Sequence, residues 1–520
     1  MPSVREALKL PTRSRGWVGL RLLAGTLLFL IGYVAANRFQ LTIGLPNGEA
    51  AVRAGYAGLG MQAAGLLAAV VLLPRRWFAG AMALVAISIL VNLGFTGILA
   101  VPLEAMALVW IFQEVRQALA AASQFLWPVL WAAAQTALAI AAFVAARRLL
   151  LCGRDDTRRG WRLALGLALG LAPSLRIAGT PFHPEAAERN LYTQAFDAIF
   201  APPPPPRATV SWQPDTAGAP RHIVWLVDES VTEEAFRRLI RPRLDRWAPL
   251  DFGTAAAIAN CSLPANVALR AGVDVRRAGP RMDLRRTPSI WGYARKAGYR
   301  TVLIEGQTRG PTQNLLLAPE RALIDELRSE AAGIDTDRAI AALLNRRLKR
   351  DTPSFTYALL RGVHFQYDSH YPPGLLASAS TVRQQYRAAL AYSKHRFFDI
   401  LLDGVDRSRV AVIYTSDHGQ NLDNALLPHC DHAPADAEFR IPLLAFLPER
   451  LTTRYAHAPA SGHAASQIFP ASLIWMGYDA GAVRQAYDND LTQATARRVW
   501  FGRKVVPLGP GDTIDVNAAP

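Results

Sequence analysis

Cysteine is scarce in this chain: three residues, Cys152, Cys261 and Cys430, in 520. That excludes a disulfide scaffold, which needs a dense cysteine framework in a short chain. A single bond between Cys261 and Cys430 is compatible with the sequence, and so are two free thiols. Acidic residues are also short, 41 against 57 Lys plus Arg, leaving a formal charge of +16. Such an excess raises nucleic acid as a partner, but its distribution points elsewhere. Much of it borders apolar runs: Arg5, Lys9, Arg13 and Arg15, then Arg75 and Arg76, then Arg147, Arg148, Arg154, Arg158, Arg159 and Arg162. No internal repeat is visible.

The composition is 51% hydrophobic, with the apolar residues concentrated before residue 180. Five runs, Trp17–Ala36, Tyr56–Leu73, Phe78–Val101, Leu126–Ala146 and Trp161–Ile177, approach the length a bilayer requires. Core helices of a water-soluble protein would carry a polar face, and Ala63–Leu73 and Met82–Leu93 show almost none. The first run is long and lacks a cleavage site, so it reads as a retained span. With five spans the Arg-rich loops fall on one side, the cytoplasmic side, and everything after Ile177 lies outside. Pro102–Ala122, with Glu104, Glu114 and Arg116, reads as an interfacial helix on the outer side. Pro184–Phe200 reads as an outer helical segment, and Pro202–Pro206 as a stiff polyproline spacer. The predicted organisation is therefore a transmembrane part over 1–180, a helix and linker over 181–206, and a globular domain over 207–520.

From Arg207 onward short apolar runs alternate with helical stretches: Ile223–Val227, Thr301–Ile304, Phe355–Leu360, Val410–Tyr414 and Leu443–Phe446. That alternation predicts an α/β domain with a central, mostly parallel sheet. The ends of these runs carry the chemistry. Val410–Tyr414 leads into Ser416-Asp417-His418-Gly419, a carboxylate and an imidazole at the C-terminal end of a strand. Open α/β sheets place their ligands there, and such a pair makes half of a zinc or manganese site. Ile223–Val227 ends in Asp228-Glu229-Ser230, which offers further acidic ligands or, as a lone feature, the cap of a helix over Thr232–Ile240. Asn260-Cys261-Ser262-Leu263-Pro264-Ala265-Asn266 puts a hydroxyl at the start of a short helical stretch, as a nucleophile or an ordinary N-cap. Phe355–Leu360 leads to Gly362-Val363-His364, and His429 and His432 lie in a Pro-flanked loop after Asp417-His418.

In this order these segments resemble the alkaline phosphatase/sulfatase superfamily, and within it the membrane-anchored phosphoethanolamine and phosphoglycerol transferases. Ser416-Asp417-His418-Gly419-Gln420 is similar to that branch's S-D-H-G-E, and Gly362-Val363-His364 to His370-Tyr371-Pro372 is similar to its G-S-H and R-Y-P. Tyr293-Ala294-Arg295-Lys296-Ala297-Gly298-Tyr299-Arg300-Thr301 resembles a helix-to-strand segment of the branch. Asp228-Glu229-Ser230 stands where the branch has its first metal-binding acid, and His429 close to its downstream active-site histidine. The resemblance covers Arg221–Pro448. Three departures matter. The transferases usually carry a Thr nucleophile where this chain has Asn260-Cys261-Ser262, so Cys261 competes with Ser262 for the role. Asn266 stands where a sulfatase needs an Arg, which argues against formylglycine chemistry, and Gln420 replaces a Glu.

The resemblance implies Zn²⁺, with Mn²⁺ as an option, held by Glu229, Asp417 and His418 with Ser262 as a further ligand and Asp228 as a substitute or assistant. It implies Ser262 as nucleophile, and His364 and His429 binding the phosphoryl group or acting as acid and base. The implied reaction moves a phospholipid headgroup, phosphoethanolamine first, to an envelope glycan or lipid A-like acceptor through a phosphoryl-Ser262 enzyme. The implied setting is a bacterial inner membrane with the catalytic domain in the periplasm, no nucleic acid partner, and the arginines of Arg270–Arg286 forming either a face for anionic headgroups or a solvated surface. Two alternatives stay open: a membrane-anchored phosphodiesterase or sulfatase-type hydrolase, and an inactive relative that scaffolds envelope polysaccharide machinery.

Overall fold

The structure, a computed structural model, describes residues 15–42, 49–99, 102–113, 125–151, 159–171, 185–200, 202–274, 277–279, 282–308, 314–330, 332–377, 379–423, 428–430, 434–495, 498–501 and 512–515. His432 lies outside these. The chain divides into two compact units, Met1–Ala201 and Pro202–Pro520.

In the first unit four helices are long and apolar enough to cross a membrane, at Trp17–Thr42, Val52–Leu72, Arg75–Ile98 and Leu126–Leu150. The fifth expected span is described only as the shorter helix Arg159–Leu171; 172–184 fall outside the described residues. Large apolar side chains such as Leu23, Leu27, Leu84, Ile87, Trp127 and Leu138 are exposed, as lipid-facing residues are. The helix Ala105–Gln113 occupies the segment expected to be interfacial.

Polar side chains of three membrane helices converge on one short stretch. Gln62 Oε1 accepts from the Ala186 N–H, and Asn37 Oδ1 accepts from the Ala187 N–H, each at 2.7 Å. Ser88 Oγ donates to the Ala187 carbonyl at 2.6 Å, and Asn190 Nδ2 donates to Asn92 Oδ1 at 2.7 Å. The first two bonds supply partners for orphan N–H groups at the start of helix Ala187–Phe200, and the other two tie the same turn to the helix Arg75–Leu99.

The second unit is built on an eight-stranded sheet in the order β4-β3-β5-β1-β6-β7-β2-β8. The strands are β1 His222–Asp228, β2 Leu250–Ala256, β3 Arg300–Glu305, β4 Glu326–Ser329, β5 Ser354–Leu359, β6 Val410–Ser416, β7 Arg440–Phe446 and β8 His463–Ala464. β1 lies between β5 and β6, parallel to both, and Asp228 is paired with Ser416. β7 runs antiparallel to both β6 and β2, so the mostly parallel sheet is mixed on one flank. A separate two-stranded sheet pairs β9 Arg498–Phe501 with β10 Asp512–Asp515.

Every residue of β1, β5 and β6 is buried, as expected of strands covered on both faces. Alternation divides them between two cores. Ile223, Trp225 and Val227 of β1 join Ala411 and Ile413 of β6 in one cluster. Val224 and Leu226 join Val412 and Tyr414 in the other. This parity decides which carboxylates meet at the strand ends.

Candidate metal centre and nucleophile

β1 and β6 stop side by side, so Glu229 and the Asp417-His418 pair emerge together. Among the described residues they form one group of potential metal ligands, with donor atoms within 4.8 Å of one another. All are buried: Glu229 and Asp417 are 1% exposed and His418 0%. His418 Nε2 lies 3.4 Å from Glu229 Oε1 and 3.7 Å from Asp417 Oδ2. Its Nδ1 is 2.8 Å from the Gly419 carbonyl. A carbonyl only accepts, so Nδ1 carries the proton and Nε2 faces the carboxylates, the arrangement of a metal-ligating imidazole.

Ser262 opens the helix Ser262–Ala271, with Cys261 as its N-cap residue. Its Oγ lies 3.1 and 3.2 Å from the two Glu229 carboxylate oxygens and 3.0 Å from His418 Nε2. Asn266, where a sulfatase has Arg, steadies this end: its Nδ2 donates to the Ser262 carbonyl at 2.8 Å and to Asp417 Oδ2 at 3.5 Å. Tyr357 Oη donates to Asn266 Oδ1 at 2.6 Å. Two further donors were not evident from the sequence. Gln307 Nε2 reaches Glu229 Oε2 at 2.9 Å, and Ser230 Oγ reaches Glu229 Oε1 at 2.6 Å. Gln307 follows the end of β3, where Glu305 Oε1 accepts its N–H at 2.8 Å; its signal was its place after a strand end that carries an acid.

Cys261 is bonded to Cys430 as a disulfide. It therefore presents no thiol, and Ser262 is left as the hydroxyl beside Glu229 and His418. Cys430 directly follows His429, and its N–H donates to the Asn260 carbonyl at 2.9 Å. His429 stacks on His418 with ring centroids 4.6 Å apart, and His364 meets His429 edge-on at 5.7 Å. Gln420 Oε1 lies 3.1 Å from His429 Nδ1. His364 is exposed and sits at the open side of this histidine row.

Asp228 does not join the group. It continues the even-numbered face of β1 and is held by Tyr414 Oη at 2.5 Å and by Lys394 Nζ at 2.9 Å, both on its Oδ2. Burial, partly offset by Lys394, pushes its carboxyl up to about 6. The described arginines of the basic stretch are also engaged rather than free. Arg270 is buried against Glu320, Arg277 pairs with Asp274, and Arg285 and Arg286 pair with Asp283.

The charges at the centre call for a cation. Burial raises the Glu229 carboxyl, but the hydrogen bond and charge of His418 outweigh it and hold it well below the carboxylate range. Burial and the Glu229 charge push Asp417 up to about 7. Burial lowers His418, yet Asp417 and Glu229 raise it to about 9. Two buried carboxylates need a positive partner. A proton on His418 and a divalent cation are alternative ways to supply it. The O,O,N donor set, its burial and the fixed His418 tautomer fit such a cation. Burial, reinforced by His418 and His364, pushes His429 well below its ordinary value, so it stands as a neutral base or donor.

Residues 279–478 match the family model described as Sulfatase. The matched stretch contains His364, Asp417, His418 and His429 and begins after Ser262. Among curated proteins no match is found. Among solved structures, the chain is similar to the C-terminal periplasmic domain of EcEptC from Escherichia coli, at 17% identity over 61% of this chain and 97% of that one, with a TM-score of 0.48. It is similar to the integral membrane protein lipooligosaccharide phosphoethanolamine transferase A (EptA) from Neisseria meningitidis, at 12% identity over 96% and 98% of the two chains, with a TM-score of 0.49. The soluble domain of lipooligosaccharide phosphoethanolamine transferase A from the same organism aligns at 13% identity over 54% and 96%, with a TM-score of 0.43.

Proposed function

We propose that this chain transfers a phospholipid headgroup, phosphoethanolamine in the first instance, to an envelope glycan or lipid A-like acceptor. The observation that carries the reading is Ser262 Oγ at hydrogen-bond distance from both Glu229 and His418. The hydroxyl sits at a helix N-terminus, where N–H groups and the helix dipole favour an anion. The chain also carries helices able to lie in the bilayer that holds the donor lipid. Its setting is then a bacterial inner membrane, with the second unit in the periplasm, an oxidising compartment that suits the Cys261–Cys430 bond.

Glu229, Asp417 and His418 would hold the cation, Zn²⁺ in this proposal. When bound there, it lowers the pKa of a coordinated hydroxyl and offsets developing phosphoryl charge. Ser262 Oγ, its proton lost, attacks the phosphorus of the donor phosphodiester. The bond from phosphorus to the diacylglycerol oxygen breaks, and that oxygen takes a proton. The headgroup phosphate then rests as a diester on Ser262. An acceptor hydroxyl attacks the same phosphorus, giving up its proton as Ser262 Oγ leaves. His429 and His364, in line beyond His418, are placed to hold phosphoryl oxygens and to relay those protons.

The test is incubation of the purified protein with a phospholipid labelled in its headgroup, followed by peptide mass mapping and product analysis. A headgroup-phosphate adduct on Ser262, absent in Ser262→Ala, together with label on a glycan acceptor, is the expected result. Label released only as free headgroup phosphate would make the protein a hydrolase instead. An adduct on any other residue would overturn the assignment of Ser262.

A further inference from the structure

Behind the metal centre, on the opposite side of β1, lies a second charged cluster that the reaction above does not use. Lys394 ends the helix Val382–Ser393 as its C-cap residue. Its side chain is 0% exposed. Nζ lies 2.9 Å from Asp228 Oδ2, 2.6 Å from Asp337 Oδ2 and 2.9 Å from Ser393 Oγ. Three donors therefore meet three acceptors, as a buried ammonium requires. Ser393 Oγ also donates to Asp337 Oδ2.

Each of the two carboxylates has a second task. Asp228 Oδ1 accepts the Glu229 N–H at 3.1 Å. Asp337 Oδ1 accepts the Arg361 N–H at 2.8 Å, and its Oδ2 the Gly362 N–H at 3.3 Å. These N–H groups belong to the backbone of Glu229 and to the turn that leads to His364. The two backbones also touch directly, since the Val363 N–H donates to the Glu229 carbonyl at 3.0 Å. The fit at Gly362 is tight. A Cβ there would come within 2.5 Å of the Glu229 carbonyl oxygen and 2.7 Å of Asp228 Oδ1, and its φ of +57° lies in the left-handed region.

We infer that Lys394 is a positioning residue for the metal centre: by clamping Asp228 to Asp337 it fixes the backbone of Glu229 against the turn that carries His364. The inference rests on the proposed metal-dependent reading of Glu229. Lys394 touches neither the nucleophile nor any of the three proposed ligand side chains, so its effect is indirect. Charge pairing alone would serve stability wherever it lay. The hydrogen bonds from Asp228 and Asp337 to these particular N–H groups direct the clamp at the site. Partners that orient a ligand typically shift metal affinity by about 10- to 100-fold when removed.

The experiment is zinc titration of the metal-stripped full-length protein in detergent, with thermal melting on the same samples. Lys394→Met should weaken zinc binding about 10- to 100-fold at a temperature where the variant is folded. Because that change strands two buried carboxylates, Asp228→Asn with Lys394→Met is made alongside it. There the one charge left, on Asp337, keeps Ser393 and two backbone N–H groups as partners. The double variant should fold and show the same loss of zinc affinity. Either variant, folded, binding zinc within about twofold of wild type would overturn the inference and leave the reading of Glu229 standing, since that margin is well below the expected loss. A wild-type protein that binds no zinc would remove the reading, and the inference with it.

Discussion

Asp228 and Glu229 are consecutive, both buried, and end the same strand, yet their charges are met in opposite ways. On one face of the sheet Asp228 faces Asp337 across the Lys394 ammonium, and the cluster is complete within the chain. On the other face Glu229 meets Asp417, and they are met by the His418 imidazole and by neutral donors from Ser262, Ser230, Gln307 and Asn266. Strand alternation alone separates them. A pair of buried carboxylates with a covalently fixed cation is structure. The same pair with an imidazole and neutral donors is what the proposed exchangeable cation and reaction would need. The lesson is that a buried acid is classified by what neutralises it, not by how deeply it lies.

The strongest way to break this contrast is Asp417→Ala. It removes a proposed ligand from the incomplete face and leaves the Lys394 cluster intact. Losing one electrostatic partner of a transition state costs roughly 10²–10³ in rate. Losing the cation itself should cost at least that, with metal content falling in parallel. Metal analysis together with transfer assays checks it, and full metal occupancy in Asp417→Ala would exclude the site.

A smaller effect is expected from opening the disulfide with Cys430→Ser. The bond joins residues 169 positions apart and ties the N-cap of the Ser262 helix to the residue after His429. Glu229, Asp417 and His418 are anchored elsewhere, so zinc should stay while transfer slows. Closing so long a loop is typically worth about 2–4 kcal/mol, which chemical denaturation can read. Unchanged turnover in Cys430→Ser would show that His429 needs no such tether.

The smallest effect concerns a group kept neutral rather than paired. His370 is buried, and burial with the nearby Arg361 charge pushes it down to about 3. In the unfolded chain it returns to about 6.5, so unfolding takes up a proton below that pH. This lowered group favours the native state above its unfolded value. The benefit is lost as pH falls from about 6.5 towards 3, at up to about 1.4 kcal/mol per pH unit. Urea midpoints at neutral and mildly acid pH should therefore drop less in His370→Phe than in wild type. Equal drops would mean that His370 is not held neutral.

How much of this was visible beforehand follows from particular residues. The runs that became β1, β3, β5, β6 and β7 are continuous and apolar, and they were legible because strands covered on both faces must be. β2 was not, because Asp251, Gly253 and Thr254 interrupt it and its pairing is irregular between Asp251 and Thr254. β4, Glu-Leu-Arg-Ser, is an edge strand with charged residues and carries little signal. The reversed direction of β7 has no local signature. At the site, Ser262, Glu229, Asp417 and His418 could be named because each stands beside a strand end or helix start. Asp228 was named with them although its parity with Val224 and Leu226 already placed it on the other face. Lys394 and Gln307 had no motif, since a clamp is defined by what it touches and not by its sequence neighbours.

The helix Ala187–Phe200 bears on how the protein could be dissected. Its first turn is held by Asn37, Gln62, Ser88 and Asn92, while Phe196, Ile199 and Phe200 stay exposed. Severing the chain ahead of this helix would strip polar partners from both pieces and leave a greasy stub on the water-exposed one. Severing it after Ala201, where the two compact units divide, would leave these four partners in place, so a fragment that starts with the prolines should be the better-behaved soluble half.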